Sequence, residues 1–283
     1  MMNSNPREIY HLAAHSFVAG TFEVPVETGS TTGLSVTRLL ESMRQVCEDA
    51  RFYFAGTSEM YGRTGLTSRV ALNEESVFRP MSPYAASKLH GYWTTRIYRE
   101  AYNLYACNGI LFNHESPIRG MEFVSRKVTN AAARIARGVS KDLVLGNLYA
   151  KRDWGYAPEY VEAMWMMLQQ KEPDDFVIAT NERHSVRDLV EVAFSRLGLD
   201  WKKYVKLGKM FNRPLDVPEL LGDYTKAKKA FGWKPKTKFK ELITIMVDED
   251  DRRWERREKG ETFPWDAPSY PHENRVITRS SKM

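Results

Sequence analysis

Residues Arg51-Phe52-Tyr53-Phe54-Ala55-Gly56-Thr57-Ser58-Glu59-Met60-Tyr61-Gly62 decide the fold. The aromatic run at 51–54 suits a pleated, buried strand, and the small residues after it end that strand. In an open parallel sheet such strand ends carry the ligand-binding loops. The flanking sequence agrees. Upstream, Ile9 to Leu12 reads as another strand, closing on Ala13-Ala14. Between the two strands, Val36, Leu39, Leu40, Met43 and Val46 recur at three- and four-residue spacing. That predicts an amphipathic helix with Thr31 or Thr32 near its start. Downstream, a loop rich in Gly, Thr and Ser runs to Pro83, and Leu89, Tyr92, Trp93, Arg96 and Ile97 predict a helix over 85–102.

The alternation continues to the far end. Strands are expected at 104–112, 143–145 and 176–179. Helices are expected at 124–138, from Pro158 onward, from Ser185 to Gly198, and from about 239 to 254. Pro158 is suited to a first turn, Ser185 with Asp188 is a variant of the capping box, and Gly198 suits a helix end. Strands alternating with helices imply an α/β fold: a doubly wound, Rossmann-like parallel sheet with helices on both faces. The expected division is a partial core over 1–112 with parts of 150–180. A smaller C-terminal lobe is expected over 113–150 and 180–258. Over 259–283 an extended or disordered tail is expected.

Composition narrows the function. The 283 residues are 42% apolar and 28% charged, as in a globular protein of one large domain or two ordinary ones. No run of about 18 apolar residues offers a membrane-spanning helix. Residues 1–8 lack the apolar core of a signal peptide, so a cytoplasmic location is expected. Two cysteines, Cys47 and Cys107, are too few for a disulfide scaffold or a zinc site. They read as buried thiols, and no metal is expected. The net charge of +6 favours anionic partners. The basic residues are dispersed, however, and those at 252–259 are interleaved with Glu255 and Glu258, so nucleic acid is not an expected partner.

The chemistry lies in two short motifs. In Tyr84-Ala85-Ala86-Ser87-Lys88 the Tyr and Lys are four apart and share a helix face. An ammonium there stabilises phenolate, so the tyrosine is able to exchange a proton near neutral pH. Taken alone, such a pair is more often structural. The strand end beside it changes the reading. Thr57 offers a hydroxyl to a substrate oxygen, and Glu59 offers a second acid/base group.

Together these residues resemble the extended short-chain dehydrogenase/reductase family. Leu12-Ala13-Ala14-His15-Ser16 looks like that family's cofactor-lining turn, and Arg152-Asp153-Trp154-Gly155-Tyr156 like its later signature. Thr57-x-Glu59 is similar to the dehydratase branch. Within it, 109–117, 145–155, 176–180, 184–187, Arg213-Pro214 and 222–228 resemble the GDP-mannose 4,6-dehydratases. The resemblance implies NADP as cofactor, GDP-mannose as substrate, and assembly as a homodimer or homotetramer. It implies Thr57, Glu59, Tyr84 and Lys88 as catalytic residues. It places Leu12, Ala13, Ala14, His15, Ser16, Tyr84, Lys88, His114 and Arg119 at NADP. Asn113, Lys127, Asn147, Lys151, Arg152, Arg213 and Glu219 fall at the GDP moiety.

Measured against the family, the chain is expected to open at the fourth strand. The glycine-rich turn that holds a pyrophosphate is not among its residues. Three positions also depart from the family pattern: Glu27 stands where a tyrosine is usual, Ile118 where an arginine is, and Glu122 where an asparagine is. Two alternatives therefore accompany the dehydratase reading. One is a related nucleotide-sugar epimerase or reductase. The other is an inactive family member with a structural or interaction role.

Overall fold

The computed structural model describes residues 5–67, 71–208, 217 and 219–261; Arg213-Pro214 and residues 262–283 of the expected tail lie outside the described residues. In chain order the main elements are β1 (Glu8–His11), α1 (Ser35–Val46), β2 (Arg51–Ala55), α2 (Pro83–Tyr102), β3 (Ala106–Leu111), α3 (Val124–Ala136), β4 (Leu143–Leu145), α4 (Ala157–Leu168), β5 (Asp175–Ile178), α5 (Val186–Arg196), β6 (Val205–Leu207), α6 (Thr225–Phe231) and α7 (Phe239–Glu258). They fall into two units. Unit 1 comprises Met1–His114, Arg152–Arg183 and Arg213–Lys236; unit 2 comprises Glu115–Lys151, His184–Asn212 and Thr237–Met283.

Unit 1 is built on a parallel sheet of order β1-β2-β3-β5. The pleat sends alternate side chains of β2 to opposite faces. Phe52 and Phe54 pack with Val36, Leu40 and Met43 of α1 and with Tyr92 of α2. Tyr53 and Ala55 pack on the other face with Tyr160, Ala163, Met164 and Met167 of α4. This is the doubly wound arrangement that the alternation of elements predicts. α2 lies close on the sheet because Gly91 has no side chain: a Cβ there would sit 2.5 Å from Cζ of Phe54. The outer edge of β5 is closed by side chains. Glu74 accepts a bond from the Val177 amide (2.7 Å), and Lys226 donates to the Asp175 carbonyl (2.9 Å).

Past the ends of these strands, Asp153 holds two segments of unit 1 together. Its buried carboxylate accepts from the Thr180 amide (2.8 Å), the Thr180 hydroxyl (2.7 Å), the Asn181 amide (3.0 Å) and the Gly222 amide (3.3 Å). Burial raises this carboxyl to about 6, against the pull of those donors. Asn181 takes a left-handed φ of 59°, which asparagine tolerates.

Unit 2 packs α3, α5 and α7 against one another beside a parallel β4–β6 pair. Its buried residues include Val128, Ala132, Leu189, Val190, Phe194, Leu242, Ile243 and Met246. The capping box at α5 is complete. The Asp188 amide donates to the Ser185 hydroxyl, and the Ser185 amide donates to the Asp188 carboxylate. α3 and α7 are joined by a fully buried ion pair, Arg126 Nε to Asp250 Oδ1 at 2.7 Å. The Thr129 hydroxyl donates to the second Asp250 oxygen at 2.7 Å.

Several local features differ from the sequence expectation. The chain before α1 is already helical at Gly20–Phe22 and Pro25–Thr28, and a π-helical stretch, Gly29–Leu34, leads directly into α1. Small buried residues, Thr28, Thr32 and Gly33, carry that packing, so no large apolar period marks it. The expected loop to Pro83 contains a 3-10 turn, Ser58–Met60, and a short helix, Thr64–Thr67. α6 and β6 were not expected. α6 is lysine-rich and buries only Ala227, while no residue of β6 is buried.

The buried pair yields a stability prediction. Asp250→Ala leaves the Arg126 guanidinium buried without its partner and should destabilise the protein by about 3–5 kcal/mol. Urea unfolding measures this. The double variant Asp250→Leu with Arg126→Met should recover most of the loss, and equal losses in the single and double variants would contradict the assignment.

Candidate active site

The two motifs expected to carry the chemistry meet at the C-terminal end of β2. α2 opens with Ser82 as N-cap, its hydroxyl accepting from the Ala85 amide (3.1 Å), and Pro83 fills the first turn. That start fixes the phase of the helix and turns Tyr84 and Lys88 inward; they are 8% and 2% exposed. Lys88 Nζ donates to the carbonyl oxygen of Ala55 at 2.6 Å, joining α2 to the last residue of β2. The same nitrogen lies 5.9 Å from the Tyr84 ring centroid. Thr57 follows two residues after Ala55 and caps the 3-10 turn Ser58–Met60. Its hydroxyl oxygen accepts from the Glu59 amide at 3.2 Å, which leaves the hydroxyl proton for a ligand. Glu59 is half-buried on that turn.

Electrostatics at this point are dominated by burial. The ammonium of Lys88 is pushed down to about 7 by loss of water. His11, buried on β1, falls to about 4, first through burial and then through repulsion from Lys88. Its Nε2 lies 3.2 Å from the Ser35 hydroxyl. Neither His11 nor the ring of Phe54, whose centroid is 4.8 Å from Lys88 Nζ, is marked by the sequence motifs. The available signal was the two-residue period of β2, which places Phe54 on the face that α2 covers.

The turn after β1 stands at the same end of the sheet. Leu12, Ala13 and Ser16 are exposed, and Ala14 and His15 are half-buried. The His15 amide donates to Thr32 at 3.0 Å, and its Nε2 lies 3.7 Å from Glu27, one of the departing positions. After β3, His114 donates from Nδ1 to the Phe112 carbonyl (2.9 Å) and stacks on Tyr160 with centroids 4.9 Å apart. Asn113 is half-buried and Arg152 is buried. Glu219 forms an ion pair with Arg183.

Arg119, Lys127, Asn147 and Lys151 belong to unit 2. Arg119 lies 3.3 Å from buried Glu115 and 3.6 Å above the Phe123 ring. Lys127 is lowered to about 8 by burial. Asn147 accepts from the Tyr149 amide (2.9 Å), and Lys151 is exposed. The carboxylate of Glu122 folds back over Gly120, within 2.7 Å of where a Cβ would stand. Arg213 lies outside the described residues. Among the described residues, no group of His, Cys, Asp or Glu side chains is arranged to hold a metal.

The burial of Lys88 makes a pH prediction. Its folded value, about 7, lies below the value of about 10.4 in an unfolded chain. The folded state therefore binds fewer protons between those values, and stability rises with pH across that window. Lys88→Met removes the effect. Its stability relative to the wild type should fall by up to about 1.4 kcal/mol per pH unit between pH 7 and 10 in urea titrations. Parallel curves for the two proteins would refute the assignment.

Comparisons with known proteins identify the family. A family model described as GDP-mannose 4,6 dehydratase matches residues 1–246. GDP-mannose 4,6 dehydratase 1 of Arabidopsis thaliana is 51% identical over 249 residues, covering 87% of this chain and 68% of that protein. GDP-mannose 4,6 dehydratase of Homo sapiens is 45% identical over 264 residues, covering 87% and 70%. The chain thus spans about two thirds of the length of these relatives. Among solved structures, RMD from Pseudomonas aeruginosa complexed with NADPH superimposes with a TM-score of 0.80 at 20% identity, covering 88% of this chain and 83% of that one; it shares the fold. UDP-glucose 4-epimerase of Thermus thermophilus complexed with NAD gives 0.76 at 26% identity, covering 88% and 78%. With its motifs gathered at the end of β2 and the family match running through residue 246, the chain belongs to the GDP-mannose 4,6-dehydratase family.

Proposed function

We propose that the protein is a hydro-lyase that removes water from GDP-mannose, giving GDP-4-keto-6-deoxymannose, with NADP as a cofactor regenerated in each cycle. The observation that carries this reading is the bond from Lys88 to the Ala55 carbonyl. It brings the Tyr84–Lys88 face to the strand end that bears Thr57 and Glu59. The residues suit the nicotinamide end of a dinucleotide. Among the described residues one hydrogen bond engages the Lys88 ammonium, so two of its donors remain for ribose hydroxyls. NADP, when bound, would supply the acceptor for the C4 hydride and the source of the hydride that C6 receives.

Each side chain then has a distinct task. Tyr84, as phenolate, takes the proton of the C4 hydroxyl while Lys88 stabilises its charge. Thr57 donates its hydroxyl proton to the same substrate oxygen, because its lone pair already accepts from the Glu59 amide. Oxidation at C4 acidifies the C5 proton. Glu59 removes it as a base and then, as an acid, protonates the departing C6 hydroxyl. Proton and hydroxide leave together as one water. Lys127 and Lys151 supply cationic charge suited to a diphosphate. Arg119 already faces Glu115, so an anion reaching it competes with that carboxylate.

The test is turnover. The purified chain, with GDP-mannose and NADP⁺, should yield a product lighter by one water in mass spectrometry. Glu59→Gln should lower that yield by about a hundredfold or more while still exchanging hydride at C4. Water loss that persists in Glu59→Gln would remove Glu59 from the reaction, and a 4-epimer without water loss would establish an epimerase instead.

A further inference from the structure

We propose that Phe54 is a positioning residue for Lys88: its ring is the seat that keeps the ammonium, and its charge, beside Tyr84 at the end of β2. The Lys88 nitrogen lies 4.8 Å from the centroid of this ring. Its hydrogen bond goes to the carbonyl of the next residue, Ala55, at 2.6 Å. Phe54 thus sets both contacts, one through its ring and one through the backbone that follows it. The ring itself has no freedom. It is fully buried, His11 of β1 stacks against it with centroids 6.0 Å apart and planes 26° apart, and its Cζ fills the space where Gly91 of α2 lacks a Cβ.

The electrostatic need for such a seat is visible around it. Among the described residues, Tyr84 from its own helix and His11 from β1 are titratable groups that face Lys88. Neither is a carboxylate. Burial is what acts on the lysine, and it favours the neutral amine. A desolvated ammonium above an aromatic face gains attraction from the ring's negative π surface, and this opposes the loss. An aliphatic side chain of the same volume would fill the space without supplying that attraction. Phe54 touches neither substrate nor cofactor in this role; it acts through Lys88.

The proposal rests on reading Lys88 as the partner of Tyr84, but its test requires no turnover. In the full chain, ¹³C-labelled lysine, with Lys88 assigned by Lys88→Arg, reports the Lys88 titration by NMR without ligands. Phe54 is replaced by phenylalanines bearing one, two or three ring fluorines, which keep its shape while draining the π face. The midpoint for Lys88 should fall stepwise along the series, by about half to one pH unit at three fluorines. Phe54→Leu should fall at least as far. A midpoint unchanged across the fluorinated series would overturn the proposal, even if the protein dehydrates GDP-mannose. A stepwise fall would sustain it even in a preparation with no turnover.

Discussion

The bond from Lys88 to the Ala55 carbonyl is the constraint on which the site depends. Putting an ammonium where 2% of the residue is exposed is unfavourable, and the fall of Lys88 to about 7 expresses that. Around this point the packing leaves little slack. Gly91 lets the helix close on Phe54, and Gly33 passes 3.3 Å from the Ser87 carbonyl measured from an ideal Cβ, holding the π-helical stretch against α2. A Cβ at Gly91 would overlap the Phe54 ring, whereas one at Gly33 would only tighten its contact with the Ser87 carbonyl. The seating of α2 on β2 therefore depends most on Gly91.

Legibility from sequence followed the range of the interactions. The strands and long helices were readable because each carries its own hydrophobic period. That the motif of Tyr84 and Lys88 meets the strand end bearing Thr57 and Glu59 was expected because each lies in a short local motif, and the bond from Lys88 to Ala55 joins them. The 20–34 segment was not, because Thr28, Thr32 and Gly33 bury small or polar surface that leaves no period. α6 escaped because its lysines hide a single buried alanine. Phe54 and His11 escaped for another reason. Each reads as an ordinary strand residue, and only the pairing of Ile9 with Phe52 and His11 with Phe54 puts their rings behind Lys88.

Asp153 shows the same limit from the other side. In the motif at 152–156 the arginine was the residue expected at the ligand, and the aspartate beside it is an anchor within unit 1. With four donors from the Thr180, Asn181 and Gly222 positions, it fixes where two later segments of unit 1 run. Arg152 follows from that anchoring, since the residue before a pinned carboxylate has little freedom in its own backbone.

Three of the polar residues expected at the cofactor or the GDP moiety are engaged within the chain. Glu219 faces Arg183, Arg119 faces Glu115, and Asn147 caps its own turn. Such pairing keeps the buried carboxylate of Glu115 from standing alone. An anion that reached Arg119 would exchange one partner for another, so its affinity would reflect a difference between two sets of contacts. Lys127 and Lys88 share another feature. Both are lysines lowered by burial, to about 8 and about 7. Negative charge brought beside such a lysine favours its ammonium form and so opposes the effect of burial.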